Sequence, residues 1–523
     1  MERAGWVTPV ACSHVDVFRR LEAGLTARLG PVVFRQKPEA AILAEIERLR
    51  APYLVRRAET RTPASESCRG WSGPRAGAVA VLVMALALAS TLAWPRAMVL
   101  ARAAWTALTL ISVTLLRSLG ALVEFRHARR MARTWTSRRA DQPPGSLPSI
   151  SLLVPLFRET EIASRLVGRL ARLDYPRDRI EFCLILEASD TATRAALDAA
   201  TLPDWMRVVR VPEGNCRTKP RAMNYALDFT MGEIVGIYDA EDRPAPDQLL
   251  KIAEAFARAG PEVACLQGVL DFYNPRQSWL TRCFTIDYAA WFRLVLPGLV
   301  RLGLVIPLGG TTVFFRRAAL EALGRWDAHN VTEDADLGLR LARHGFRCEF
   351  VPTVTEEEAT ASIPAWVRQR SRWIKGYWVT WAVHMRDPLR LLGDLGPLRF
   401  LAVQILFLGT LSQFVLAPVL WSFWLIVFGL PHPLTDAAPP GVIPALAALF
   451  FFCEVATIAI LAVSVATPRR SWLIKWVPLM HLYFPLAALA SWKGMVELVT
   501  RPFYWDKTAH GAAAPHAAAR GQS

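Results

Sequence analysis

Two groups of membrane-length apolar runs bracket a long mixed stretch, and that division constrains the fold before any motif is read. Residues 76–94 and 98–123 form the first group, and residues 398–430 and 442–466 the second. A helix of roughly 20 apolar residues crosses a bilayer, so the first group predicts a hairpin that returns the chain to its starting side. The run at 398–430 is long enough for one tilted span or for two broken near Pro418. The segment 476–498, interrupted by Pro478, His481 and Pro485, leaves spanning, re-entry and lying flat all open. The first apolar run comes too late for the core of a secretory signal, so no signal peptide is expected.

Charge sets the orientation. Of a net +16, Arg126, Arg129, Arg130, Arg133, Arg138 and Arg139 directly follow the second apolar run, the pattern that holds a flank in the cytoplasm. The excess therefore reads as directed to the lipid bilayer, and no nucleic-acid partner is expected. The loop PHPLTDAAPPG lacks Lys and Arg and is expected in the periplasm, with ATPRRSWLIK back in the cytoplasm. Arg117 and Glu454 lie inside apolar runs, where an ionisable group is costly unless it faces a polar path or a partner. Either a route through the helices or a structural contact accounts for them. The eight cysteines are scattered without C-x-x-C or ligand spacing and read as small buried side chains in a reducing compartment.

After the linker DQPPGSLP, short β-branched and apolar runs alternate with helical stretches: 150–156, 182–187, 207–211 and 234–239. This alternation predicts an open, mostly parallel sheet with helices on both faces and ligands beyond the carboxyl ends of its strands. The acidic ends of CLILEASD and DAED fall there. Asp239, Glu241 and Asp242 supply oxygen ligands of the kind that hold Mg2+ or Mn2+ together with substrate phosphate. Glu333 and Asp334 open a helical stretch, where negative charge is favourable and where a carboxylate near a metal can serve as a base. Trp366, Trp373, Tyr377 and Trp381 form one aromatic stripe beside the membrane, with Arg372 suited to phosphate oxygens and Trp373 to a sugar face.

Taken in order, Thr332-Glu333-Asp334 and Gln369-x-x-Arg372-Trp373 resemble the TED and Q-x-x-R-W motifs of the processive family 2 glycosyltransferases, and the flanking spans fit that family too. The runs YDAEDRP, IPLGGT, NVTEDADLG and RQRSRWIKGY look like its cellulose and β-glucan synthase-like exopolysaccharide branch. The resemblance implies an α/β, GT-A-like (Rossmann-like) cytoplasmic domain inserted between transmembrane α-helices. It implies a general base at Asp334 beside Glu333, a diphosphate held by Arg372 and Lys219, with Asn224 as companion, and donor contacts from Asp239 and from Glu187 or Asp190. The acceptor side falls to Gly309, Gly310 and Thr311, preceded by Leu308, and to Gln369 and Trp373. The second metal carboxylate after Asp239 stays open between Glu241 and Asp242, because the family's D-x-D reads D-A-E-D here. The segment RPFYWDKTAHG resembles one that some synthases fold over the nucleotide, through Trp505, Lys507 and Thr508.

The expected organisation is a cytoplasmic segment of unassigned role at 1–70, a transmembrane hairpin at 71–125, the GT-A domain at 126–395, a transmembrane bundle at 396–500 and a tail at 501–523. Within residues 1–70 a helical pattern presents Ile42, Ile46 and Leu49 on one face. Beyond His510 the Ala-rich tail is expected to be disordered, and no PilZ-type receptor for cyclic-di-GMP is expected. The implied activity is polymerisation of a UDP-hexose, UDP-glucose first, into a β-linked exopolysaccharide passed across the inner membrane. The growing polysaccharide and periplasmic export or regulatory proteins are its implied partners. Transfer of one sugar to a lipid carrier is the alternative.

Overall fold

The structure, a computed structural model, describes residues 8–134, 147–159, 162–200 and 202–504. Among the described residues ten strands form two sheets. β1 (Thr8–Cys12) and β2 (Val32–Gln36) pair in parallel across the helix Val15–Leu29. The remaining strands are β3 (Ile150–Leu156), β4 (Ile180–Glu187), β5 (Met206–Val211), β6 (Ile234–Ile237), β7 (Arg243–Pro244), β8 (Val263–Phe272), β9 (Val313–Arg316) and β10 (Arg347–Glu357). They build one sheet in the order β5-β4-β3-β6-β9-β8-β10-β7, with β9 antiparallel to both neighbours and β7 antiparallel to β10. All other pairings are parallel, as the alternating sequence pattern predicts.

Side-chain alternation explains why this sheet is covered on both faces. In β3, Ile150, Leu152 and Val154 join a core with Leu249, Ile252 and Phe256, whereas Leu153 joins Met223, Ala226 and Leu320 on the opposite face. Every residue of β8 is buried. The residues that follow β6 and those just before β9 line one cavity together with the apolar helices.

Among the described residues five helices are long and apolar enough to cross a membrane: Gly73–Ala93, Pro95–Met131, Trp279–Arg301, Pro388–Val415 and Val442–Val465. Ser471–Tyr483 and Leu486–Thr500 make a sixth candidate, bent by 46°. The bend falls where Pro485 removes a backbone donor. Trp279–Arg301 has no counterpart among the expected spans, and its apolar stretch is mostly enclosed by the protein itself. In the 398–430 run the helical path breaks at Leu416, just before Pro418, and continues as the short helix Ala417–Val427.

The N-terminal segment is not separate from the sheet. Helix Glu39–Thr60 buries Leu54, Val55 and Ala58 in the main core, while Leu49 stays 66% exposed. Downstream, Thr62 Oγ1 donates to Trp326 O at 3.1 Å, and Asp327 accepts from Ser67 Oγ (2.8 Å) and Cys68 N (2.7 Å). The eight cysteines are free thiols, six of them buried.

Candidate active site

The turn that follows β6 sets the first carboxylates. Asp242 N donates to Asp239 O (3.1 Å), and Asp239 N donates back to the Asp242 carboxylate (2.8 Å). Asp242 also accepts from the Thr311 hydroxyl and is fully buried. It thus ties the β6 turn to the LGGTT loop, whereas Asp239 and Glu241 face a cavity of about 1260 Å³. Burial, then the charges of Asp239 and Glu241, push the Asp242 carboxyl well above the usual carboxylate range.

Lys219 begins helix Lys219–Leu227, whose N-cap is Thr218. Its ammonium donates to Asp239 (2.5 Å) and to Gly310 O (2.9 Å). Burial works against this charge, but Asp239, Glu333 and Asp334 outweigh it and raise the Lys219 pKa. Gly310 lies close to Asp334: a Cβ there would stand 3.0 Å from the Asp334 carboxylate. Gly309 and Thr311 are held by one buried side chain, Gln267, which accepts from Gly309 N (2.9 Å) and donates to Thr311 O (3.1 Å).

Glu333 and Asp334 open helix Glu333–Arg343 across the cavity from Asp239. Asp334 accepts from Ala335 N at 2.8 Å. Burial, then the neighbouring Asp334 charge, pushes Glu333 up to about 7, and burial also raises Asp334. Lys219 and Arg372 pull both the other way. Arg372, Trp373 and Gln369 reach the same cavity from helix Ile363–His384. The Trp373 ring lies 6.2 Å from Tyr288 and under the Arg370 guanidinium at 4.7 Å, and Gln369 accepts from Thr360 at 3.2 Å.

Glu187 also lines the cavity, paired with Arg221 at 2.7 Å and raised by burial. Asp190 does not line it. Its carboxylate caps helix Thr191–Asp198, accepting from Thr193 N (3.1 Å) and Arg158 N (2.5 Å). Asn224 is fully buried, bound to Ala58 O and Trp326 O, away from the cavity. Trp505, Lys507 and Thr508 lie outside the described residues.

Two groups escaped the sequence reading. Glu357, at the end of β10, lines the cavity; burial, then Asp242, Asp239 and Glu241, hold its carboxyl well above the usual range. The triple glutamate of TEEEAT was its only signal. Arg370, the first arginine of QRSRW, pairs with Asp287 (2.5 Å) and meets Tyr483 (3.0 Å), linking the aromatic helix to two apolar helices.

From this pocket the cavity continues among the apolar helices, where Arg117, Gln413, Trp421, Trp424, Glu454 and His481 line it. Arg117 lies 5.9 Å from the Trp291 ring and Glu454 pairs with His481 at 3.0 Å. Arg117 and Glu454 thus border one space.

Part of the chain is similar to known proteins. Residues 234–490 match the family described as "Glycosyl transferase family group 2". The beta-monoglucosyldiacylglycerol synthase of Trichormus variabilis is 29% identical over 296 residues, 55% of this chain and 60% of that protein. A protein of Arabidopsis thaliana named "Probable glucomannan 4-beta-mannosyltransferase 1" is 24% identical over 358 residues, 66% of this chain and 59% of its own length. The matched part of the chain thus spans about 60% of the length of these curated relatives. Among solved structures, the mannosyltransferase PcManGT from Pyrobaculum calidifontis, in complex with GDP-Man and Mn2+, aligns over 74% of this chain and 99% of that one at 21% identity, with a TM-score of 0.44. Over residues 234–490, just under half of its length, the chain is similar to the family 2 glycosyltransferases.

Proposed function

We propose that the chain is a processive, membrane-embedded inverting glycosyltransferase. It polymerises a UDP-hexose, UDP-glucose first among the candidates, into a β-linked exopolysaccharide and passes it across the inner membrane, with its catalytic domain in the cytoplasm. The observation that carries this reading is the one cavity shared by Asp239, Asp334 and Arg372 and by the apolar helices. An extending chain formed at the carboxylates has a path of polar and aromatic side chains ahead of it.

Asp334 takes the proton of the acceptor hydroxyl, whose oxygen then attacks the anomeric carbon from the face opposite the diphosphate. The bond from that carbon to the diphosphate breaks, and Arg372 and Lys219 hold the departing UDP. Trp373 offers its ring to the acceptor's terminal sugar. Among the described residues no cluster of three or more ligating side chains forms a ready metal cage. The oxygen donors of Asp239 and Glu241 fit Mg2+ or Mn2+ held jointly with substrate phosphate, and such an ion would neutralise charge developing on the leaving group. Lys219, bound to Asp239 here, is the group that would then shift toward phosphate.

A second reading, transfer of a single sugar to a lipid, draws support from the named activity of the Trichormus relative. Product size separates the two. Membranes containing the protein are incubated with a panel of labelled UDP-sugars; high-molecular-weight material of uniform β-linkage supports polymerisation, and a product confined to a one-sugar glycolipid overturns it.

The carboxyl pair also sets a pH dependence. Because Glu333 is raised to about 7, the Glu333/Asp334 pair still holds a proton below that pH, and the base form grows as pH rises through it. Transfer should increase across this window and level off above it, and Glu333→Gln should flatten the limb. A rate profile measured from pH 5.5 to 8.5 checks the sign.

A further inference from the structure

We infer that Glu59, in the N-terminal segment, is a positioning residue for donor binding, because it holds both the loop that leads into Lys219 and the arginine that fixes Glu187. This rests on the nucleotide-sugar reading of the cavity. One Glu59 oxygen accepts from Asn215 N at 2.7 Å and the other from Asn215 Nδ2 at 2.8 Å, so a single carboxylate grips a single residue twice. The same carboxylate lies 3.9 Å from Arg221 Nη1. Arg221 is fully buried; its Nη2 donates to Glu187 at 2.7 Å, while its Nη1 donates to Pro212 O at 3.0 Å. Asn215 stands four residues before Lys219 in an otherwise exposed loop, and Arg217, Thr218, Lys219 and Glu187 all border the cavity.

Two further observations set this contact apart from incidental packing. Glu59 is only 5% exposed although its loop partner lies at the surface, so its charge is committed to this link. Gly214 has no room for a side chain, since an added Cβ would overlap both Arg221 and Glu59; the loop backbone is pressed directly onto the pair. Glu59 also sits in the last turn of helix Glu39–Thr60, which buries Leu54, Val55 and Ala58 against the catalytic core. The N-terminal segment therefore forms part of the wall behind the donor pocket, and its carboxylate acts through Asn215 and Arg221 rather than on substrate.

The test measures UDP binding to the full-length protein in lipid nanodiscs, together with donor KM, kcat at saturation and thermal stability. Glu59→Gln and Asn215→Ala should each weaken UDP binding about tenfold, the size expected of one lost charged hydrogen bond, and raise donor KM to match while kcat changes less than about twofold. The double variant should be no weaker than the weaker single, because both remove one link. Should Glu59→Gln fail to fold, Asn215→Ala, on the exposed loop, carries the same expectation. Wild-type binding with unaltered UDP affinity in a folded variant overturns this inference alone. A wild-type protein that binds no UDP overturns the nucleotide reading and this inference with it.

Discussion

Asp334→Asn should lower sugar transfer by about 10²- to 10⁴-fold, the range ascribed to a positioned general base, while UDP binding stays within about twofold of wild type. The substitution keeps the shape of the side chain and an oxygen to accept from Ala335 N, so helix Glu333–Arg343 should keep its start. It removes the one property the reaction asks of this position, a lone pair basic enough to take a proton. Stability should not fall. A buried carboxyl with a raised pKa favours folding through its neutral form at low pH and loses that contribution as pH rises through the folded value. Above that point the ionised group weighs against the fold, and the amide relieves it. The measurements are labelled-product formation, UDP calorimetry and a melting curve at pH 8. Polymer made at wild-type rate by Asp334→Asn removes the residue from its role, and a lowered melting temperature would recast the loss as a folding defect.

The contrast between Asp334 and its neighbours shows how far chemistry was legible in residue order alone. Glu333, Asp334, Gln369, Arg372 and Trp373 sit in short, dense motifs on two helices, and both helices deliver them to one cavity. Other positions depend on geometry that spacing does not carry. Asp190 and Glu187 are three residues apart on one strand exit, yet the first is consumed as a helix cap and the second meets the cavity. Asp242 was indistinguishable from Glu241 until a tight turn brought it back onto the backbone of Asp239. Glu357 and Gln267 gain meaning only when β10 and β8 pair beside the LGGTT loop.

The fold divides in the same way. β3 to β6 carry mostly apolar or β-branched runs, broken only by single residues such as Ser151, Glu181, Arg207 and Arg210, and were readable, since strands in a covered sheet need little else. β9 is only four residues long, flanked by glycines and arginines, and gives a weak signal. In β10 the alternation is broken by Pro352 and by a register shift between Phe350 and Val354, so its period is lost in the sequence. Helix Trp279–Arg301 is apolar because it packs inside the protein, a requirement that only the assembled structure reveals. The buried part of the N-terminal helix Glu39–Thr60 follows the same rule. Its buried face answers to a partner surface more than 150 residues away in the chain, as Glu59 and Asn215 illustrate.

Arg372→Lys should be nearly as damaging as loss of the base, with transfer reduced by about 10²- to 10³-fold, the cost of removing one preorganised donor to a developing anion. The charge survives the substitution, so a purely electrostatic role predicts a mild effect; the planar fork does not survive, and a two-oxygen grip on phosphate depends on it. The surroundings favour the stronger outcome. Lys219 already brings an ammonium to the carboxylates, and two point charges would compete for Asp239, Glu333 and Asp334 in place of dividing carboxylate from diphosphate. Arg372 also pulls Glu333 and Asp334 toward ionisation, so a retracted lysine should move the rising pH limb upward as well as lower its plateau. Measured together, rate and profile separate the possibilities: loss of plateau with an upward shift supports a guanidinium seated between leaving group and base, whereas wild-type turnover in Arg372→Lys assigns diphosphate binding to Lys219 alone.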